Sequence, residues 1–195
     1  MRLIENLLTK QMEDYVETCF LGLPFYYIER TSDFTSIKLK HDSSHTLESS
    51  FMCNLLGCES HGNSAGDIKY FVPIIQKLEE TTKRSFLKRI IRVKANLYLK
   101  RPDYPDNYYH TPHVDMYDKD TKKVDPGEIF LYYVNDSDGD TFFFNEEFGS
   151  DEYTVKKRFT PTKGQGVLFD MSQVHASSSP RLHESRLTLN FVFSK

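Results

Sequence analysis

Residues able to bind a transition metal stand at telling spacings: His113-Val114-Asp115, and then His175 sixty residues after Asp115. Side chains one residue apart on a strand project from the same face. His113 and Asp115 therefore present an imidazole and a carboxylate together, while Val114 turns away. Alone the pair is weak, because a chain with 7 His and 28 acidic residues contains His-x-Asp by chance, usually on the surface. His175 adds weight, because it follows a strand-like run, Gly166–Asp170, and sheet folds bring distant strands side by side. Two His and one carboxylate on one face of a metal leave positions open, as in non-haem Fe(II) oxygenases. Three such ligands plus water also make a catalytic zinc site, so the triad does not by itself name the metal.

Arg186 discriminates. It opens the last strand-like run, where Arg186, Thr188 and Asn190 share one face and Leu187, Leu189, Phe191 and Phe193 the other. An arginine and a hydroxyl two residues apart inside a barrel form a fork for a carboxylate, and a buried arginine is expensive without an anionic partner. An enzyme that chelates a dicarboxylate keto acid needs such a group beside its metal; a zinc hydrolase does not. Arg181 is the alternative anchor, but it lies beside Pro180 in a turn. Cys53, Cys58 and His61, preceded by His41 and His45, match no strong zinc pattern, and His183 is a turn residue with no expected metal role. Lys83, Arg84, Lys88, Arg89, Arg92, Lys94, Lys100 and Arg101 lie near Tyr104, Tyr108 and Tyr109. Such a mixture suits single-stranded nucleic acid, although a solvated helix end and strand face explain it more economically.

The elements that must position these residues are mostly strands. From Arg89 to Lys100, Ile91, Val93, Ala95, Leu97 and Leu99 alternate with Arg92, Lys94, Asn96 and Tyr98. Further strand-like runs follow at 113–116, 128–134, 141–144, 153–159, 166–169, around His175 and at 186–193, separated by turn signals such as Asp125-Pro126-Gly127 and Lys163-Gly164. Eight short strands predict a mainly β protein, a jelly roll (double-stranded β-helix) with flanking helices. Helical spacing predicts helices over 5–18 and 68–82 packing on one sheet, and Leu23–Ile28 reads as a short strand. Residues 31–66 are polar apart from an apolar island at 51–56, and read as a mobile lid or a surface loop. The expected organisation is one domain over 1–195, with an N-terminal helical and lid region to 85 and a catalytic core over 86–195.

Bulk properties exclude several classes. The 195 residues carry 15 Phe and 12 Tyr but no Trp, and a net charge of -3, which is not an electrostatic trap for nucleic acid. Three Cys imply no disulfide framework. Met1–Gln11 is interrupted by charged residues, so no secretion signal is expected, and no apolar run is long enough to span a bilayer. A cytoplasmic location is the expectation.

The order His113-x-Asp115, His175, Arg186-x-Thr188 resembles the 2-oxoglutarate/Fe(II) oxygenase superfamily, in particular its prolyl-4-hydroxylase-like branch. Arg92–Asn96, Tyr109–Asp115, Asp138–Thr141 and Lys163–Asp170 fall where that branch has its core motifs, and the match covers Phe86–Lys195. The segment Tyr132–Thr141 also resembles bacteriophage-encoded members, which would place the protein in a host cytoplasm. Two departures stand out: Arg101–Asn107 lengthens the connection to the metal motif, and Gly139-Asp140 replaces Gly-Gly. The resemblance implies Fe(II), 2-oxoglutarate and O2 as cofactor and co-substrates, and allows ascorbate. His113, Asp115 and His175 would hold the metal, and Arg186, Thr188, Tyr98 and Asn96 the keto acid. It implies hydroxylation of a substrate as 2-oxoglutarate becomes succinate and CO2. A peptidyl proline is the leading substrate, with Tyr109 and His110 as contacts. The nucleic-acid repair branch has a second arginine six residues after the anchor; here that residue is Val192, which argues against that branch. The alternatives are the same chemistry on a nucleic acid or small molecule, a cupin-like metal enzyme without a keto acid, or a non-catalytic binding module of the same fold.

Overall fold

Alternation along the strands sets the architecture, because each strand must serve two different environments. The structure, a computed structural model, describes residues 1–29, 49–57, 68–105, 107–118 and 120–195. In chain order these form β1 (Arg2–Ile4), α1 (Lys10–Leu21), β2 (Tyr26–Ile28), β3 (Ser50–Leu56), α2 (Ile68–Thr82), β4 (Ile90–Leu99), β5 (Gly127–Tyr133), β6 (Thr141–Phe144), β7 (Val155–Phe159), β8 (Gly166–Asp170), β9 (His175–Ser177) and β10 (Ser185–Ser194). A larger sheet has the order β1-β8-β5-β10-β4-β3-β2 and a smaller one β7-β6-β9. His113 extends the smaller sheet by a bridge to His175. Counting that bridge as a reduced strand, the chain from β4 onward delivers four strands to each sheet, which is the jelly roll the sequence predicts.

β10 lies at the centre of the larger sheet, between β4 and β5, and is buried on both faces. Its odd-numbered side chains Leu187, Leu189, Phe191 and Phe193 join Val93 and Ala95 of β4 and Phe130 and Tyr132 of β5 in one apolar cluster. Both helices cover that cluster: α1 contributes Val16 and Phe20, and α2 Phe71, Ile74, Ile75 and Leu78, at the three- and four-residue spacing of one helix face. A second cluster lies between the sheets, where Ile129, Leu131 and Val167 meet Phe143 and Phe159. No helix among the described residues is long and apolar enough to cross a membrane.

Several boundaries differ from expectation for identifiable reasons. The first helix starts at Lys10, because Arg2–Ile4 pair with β8, Asn6 takes a positive φ of 53°, and the Thr9 hydroxyl accepts from Met12 N at 3.4 Å as an N-cap. The first short strand shrinks to Tyr26–Ile28 after Pro24, which has no N–H to give a ladder. Within the expected lid, Ser50–Leu56 is a strand paired with both β2 and β4. Residues 31–48 and 58–66 of that stretch, with His41, His45, Cys58 and His61, lie outside the described residues. The expected strand 113–116 is reduced to its single bridge: Pro112 lacks a donor, and the Asp115 carbonyl accepts from the Arg92 side chain instead of a neighbouring strand.

Candidate metal centre

The register of the larger sheet lays mostly polar side chains in rungs across the face opposite the helices. Tyr98 pairs with Arg186; Met52, Asn96, Thr188 and Tyr133 form the next rung, and Asn54, Lys94, Asn190 and Leu131 the one after. Most of these side chains line an open cleft of about 650 Å³, counting the solvent space at its mouth. The smaller sheet closes the other side with His113, Asp115, Thr141 and His175.

His113 and His175 exchange backbone hydrogen bonds (2.9 and 3.0 Å), and their ring centroids are 4.7 Å apart. His113 Nδ1 lies 2.9 Å from the Thr111 carbonyl, and His175 Nδ1 lies 3.1 Å from that of Gln173. A carbonyl only accepts, so each Nδ1 carries the ring proton and each Nε2 keeps its lone pair for a metal. His175 Nε2 lies 3.4 Å from Asp115 Oδ2, and the ligand atoms of His113, Asp115 and His175 all fall within 4.8 Å of one another. Burial, joined by the neighbouring His175, lowers the His113 pKa from its usual 6.5 to about 4, so the ring is neutral at neutral pH. Burial alone would push the Asp115 carboxyl up, but the Arg92 guanidinium outweighs it and holds Asp115 well below the usual carboxylate range. Arg92 Nη2 donates to Asp115 Oδ1 at 2.5 Å, and Asn190 Nδ2 donates to Oδ2 at 3.0 Å.

Arg186, 2% exposed, stands at the other end of the cleft. Its Nε donates to Gly139 O (2.7 Å) and its Nη2 to Thr141 Oγ1 (2.9 Å). Among the described residues it forms no ion pair, and burial pulls its pKa down. Its guanidinium carbon lies 5.6 Å from the centroid of the Tyr98 ring, which stacks on His110 at 4.8 Å. Between Arg186 and the metal ligands, Thr188 Oγ1 is buried without a hydrogen-bond partner among the described residues.

Asn96 and Tyr98 thus line the same cleft as Arg186 and Thr188. Tyr109 and His110 do not line it. Tyr109 packs on Phe142 and Phe144, and His110 is buried with its ring nitrogens 3.0 and 3.2 Å from the hydroxyls of Ser177 and Ser179. The place of His110 is behind Tyr98, not at the mouth. Arg181 is fixed in a turn by its backbone N–H donating to Asp138. Arg92 and Asn190 carried no role in the sequence reading, yet both touch Asp115. Their parity with Tyr98 and with Arg186 was the available signal. The two departures from the family pattern meet at one residue: Arg158 pairs with the buried Asp140 and donates to Asn107 Oδ1 at 2.7 Å.

The donor set fits a divalent metal: two imidazoles whose Nδ1 atoms face carbonyls and one ionised carboxylate converge from one side. The orphaned Thr188 hydroxyl and the unpaired Arg186 fit a carboxylate in the same cleft. No protein-family model matches the sequence, and no curated protein matches it. Solved structures do resemble the fold. An oxidoreductase of the 2OG-Fe(II) oxygenase family from Burkholderia pseudomallei has 11% identity and a TM-score of 0.63, over 98% of this chain and 84% of that one. SnoN, a non-heme alpha-ketoglutarate-dependent epimerase from nogalamycin biosynthesis, has 12% identity and a TM-score of 0.61, over 99% and 77%. A prolyl hydroxylase from Trichoplax adhaerens, in complex with a hypoxia inducible factor peptide fragment, has 13% identity and a TM-score of 0.56, over 99% and 83%. At these identities the likeness is one of fold.

Proposed function

We propose that the protein is an Fe(II)-dependent oxygenase that consumes 2-oxoglutarate and O2, releases succinate and CO2, and hydroxylates a second substrate. One observation carries the reading. Among the described residues, a fully enclosed guanidinium with no carboxylate partner faces the same cleft as a His/Asp/His triad, and a hydroxyl without a hydrogen-bond partner lies between them. A buried cation left in this state destabilises the empty protein, so the arrangement makes sense when an anion completes it.

His113, Asp115 and His175 would hold the metal, and Arg186 with Thr188 would take the distal carboxylate of the keto acid. When bound, the iron supplies the activation of O2 and the oxidising power for the substrate C–H bond. The chain's own residues do the rest. The Thr111 and Gln173 carbonyls fix the imidazole tautomers. Gly139 O and Thr141 Oγ1 aim the guanidinium, and Tyr133 donates its hydroxyl proton to Thr141 Oγ1 (3.0 Å), which directs that oxygen's remaining proton elsewhere. Tyr98 walls the anion end against water from one side.

The finer reading is a peptidyl proline substrate. It draws support from the likeness to a hydroxylase bound to a peptide, and from the open cleft with apolar Ile28 and Met52 along it. Anaerobic addition of Fe(II) and 2-oxoglutarate should produce a visible metal-to-keto-acid absorption band. Admitting O2 should then yield succinate, and candidate proline peptides should gain the mass of one oxygen. Absence of both band and succinate sinks the oxygenase reading and leaves a binding module. Succinate with no change in any proline peptide keeps the chemistry and removes the prolyl substrate.

A further inference from the structure

Arg92 extends from β4 into a rung whose other members are Val192, Ile129 and Phe169. An apolar row is a costly place for a guanidinium. Its side chain is only 11% exposed, and its Nε is buried without a partner among the described residues. A buried ion pair with an unsatisfied donor is a poor stabilising device, because desolvation offsets the attraction. The geometry of its remaining nitrogens is nevertheless specific. Nη2 donates to Asp115 Oδ1 (2.5 Å) and lies 3.3 Å from Asn190 Oδ1, while Nη1 donates to the Asp115 carbonyl (3.2 Å). Asn190 closes the ring by donating from Nδ2 to Asp115 Oδ2 (3.0 Å). With Arg92 able only to donate, Asn190 must present its oxygen to Arg92 and its nitrogen to Asp115, which fixes the amide orientation.

We infer that Arg92 and Asn190 are positioning residues that set how Asp115 meets the metal. The inference rests on the proposed metal centre and deepens it. Oδ2 is the oxygen on the His175 side, 3.4 Å from Nε2. Oδ1 is turned away and engaged by the shortest hydrogen bond of the ring. Asp115 is thereby confined to ligation through Oδ2 alone. A freely rotating carboxylate can swing to offer both oxygens and occupy two positions on a metal. Held by Arg92, it occupies one, and the others remain for a chelating co-substrate and O2. The positive charge of Arg92 also offsets that of the carboxylate, so the centre keeps more of the metal's attraction for an incoming dianion.

The test uses the metal-free full chain and Mn(II), followed by electron paramagnetic resonance, with Co(II) absorption as a report of coordination. Arg92→Met keeps the bulk and removes every donor, Arg92→Lys keeps charge and one donor, and Asn190→Ala removes the second contact. Arg92→Met is expected to weaken Mn(II) binding about 10- to 100-fold, the usual effect of losing a group that orients a ligand. Arg92→Lys should recover part of that loss, and the Co(II) spectrum should change in Arg92→Met and Asn190→Ala while circular dichroism does not. A merely structural role would not move the Co(II) spectrum of a folded variant. If Arg92→Met does not fold, Asn190→Ala and Arg92→Lys carry the same comparison. Wild-type affinity and an unchanged Co(II) spectrum in the folded variants overturn the inference. Failure of the wild type to bind Mn(II), or equal binding by His113→Ala, overturns the metal centre itself.

Discussion

At the scale of single residues, Arg186 makes the sharpest separable claim. Arg186→Met removes a fork whose charged hydrogen bonds are worth about 3 kcal/mol together, so 2-oxoglutarate affinity should fall about 100-fold. Isothermal titration of the metal-loaded protein measures this, and unchanged affinity would remove Arg186 from the anchor role. Metal binding should persist, because Arg186 forms no contact with the triad. The variant exchanges an unpaired buried charge for a lost bond at Gly139 O, while Thr141 Oγ1 still accepts from the Tyr133 hydroxyl. These effects oppose each other, so the urea midpoint of the empty protein should move little. The shared face of Arg186 and Thr188 was legible because a two-residue strand period needs no tertiary information, whereas His113 and Asp115 meet His175 beside a single bridge and not along a strand. Arg92 was not legible, because a basic residue among lysines reads as solvated. Only the pairing of β4 with β10 turns it onto Asp115. The position of His110 was not legible either: its backbone N–H donates to Ser177 O and its ring stacks on Tyr98, away from the cleft lining.

At the scale of elements, the strands were legible in their alternation, and the connections were not. The turn after β5 and the loop before β10 are joined by Asp138, whose carboxylate accepts from the backbone N–H groups of Arg181, Leu182 and His183 and lies 2.9 Å from His183 Nδ1. Partial burial would raise its pKa, but these donors outweigh it and hold Asp138 far below the usual 3.8. A carboxyl depressed on folding stabilises fully above its unfolded value, and that contribution disappears as pH falls through the folded value. Stability should therefore decline on acidification below about pH 4. Asp138→Ala should lose about 1–3 kcal/mol at neutral pH and show a shallower acid decline, both read from urea midpoints. An equally steep decline in the variant would assign acid sensitivity elsewhere. The neighbouring Gly139 tests the same junction from the other side. A Cβ there would stand 2.6 Å from Ser178 O and 2.9 Å from Arg186 Cδ. Gly139→Ala should therefore displace the guanidinium and weaken 2-oxoglutarate binding while Mn(II) affinity holds. Equal affinity for the keto acid would show that Arg186 tolerates the shift.

At the scale of the whole molecule, the larger sheet divides labour between its faces. The helix-covered face holds Phe20, Phe71, Ile74 and the odd-numbered residues of β10. The cleft face holds Asn96, Arg186, Thr188 and Asn190. β10 is buried on both sides, so one strand serves stability with alternate residues and chemistry with the others. Two substitutions on opposite faces should then move opposite properties. Phe20 is 0% exposed between α1 and the sheet; Phe20→Ala should cost about 3–5 kcal/mol and lower the melting temperature by about 10 °C. The affinity of the remaining folded molecules for Mn(II) and 2-oxoglutarate should be unchanged. Thr188→Val preserves shape and deletes a hydroxyl that is buried without a partner. The empty protein should gain about 1 kcal/mol, because an unsatisfied buried group is removed, while 2-oxoglutarate binding weakens. The decisive comparison is the melting shift on adding saturating 2-oxoglutarate to the Mn(II)-loaded proteins. Ligand linkage makes the free energy added by the ligand, obtained from that shift and the unfolding entropy at each melting point, depend on affinity and not on the starting stability. Phe20→Ala should keep the wild-type shift from a lower baseline, and Thr188→Val should show a smaller shift from a higher one. A reduced shift in Phe20→Ala would mean that the helical face reaches through the sheet to the site, and the division of faces would fail.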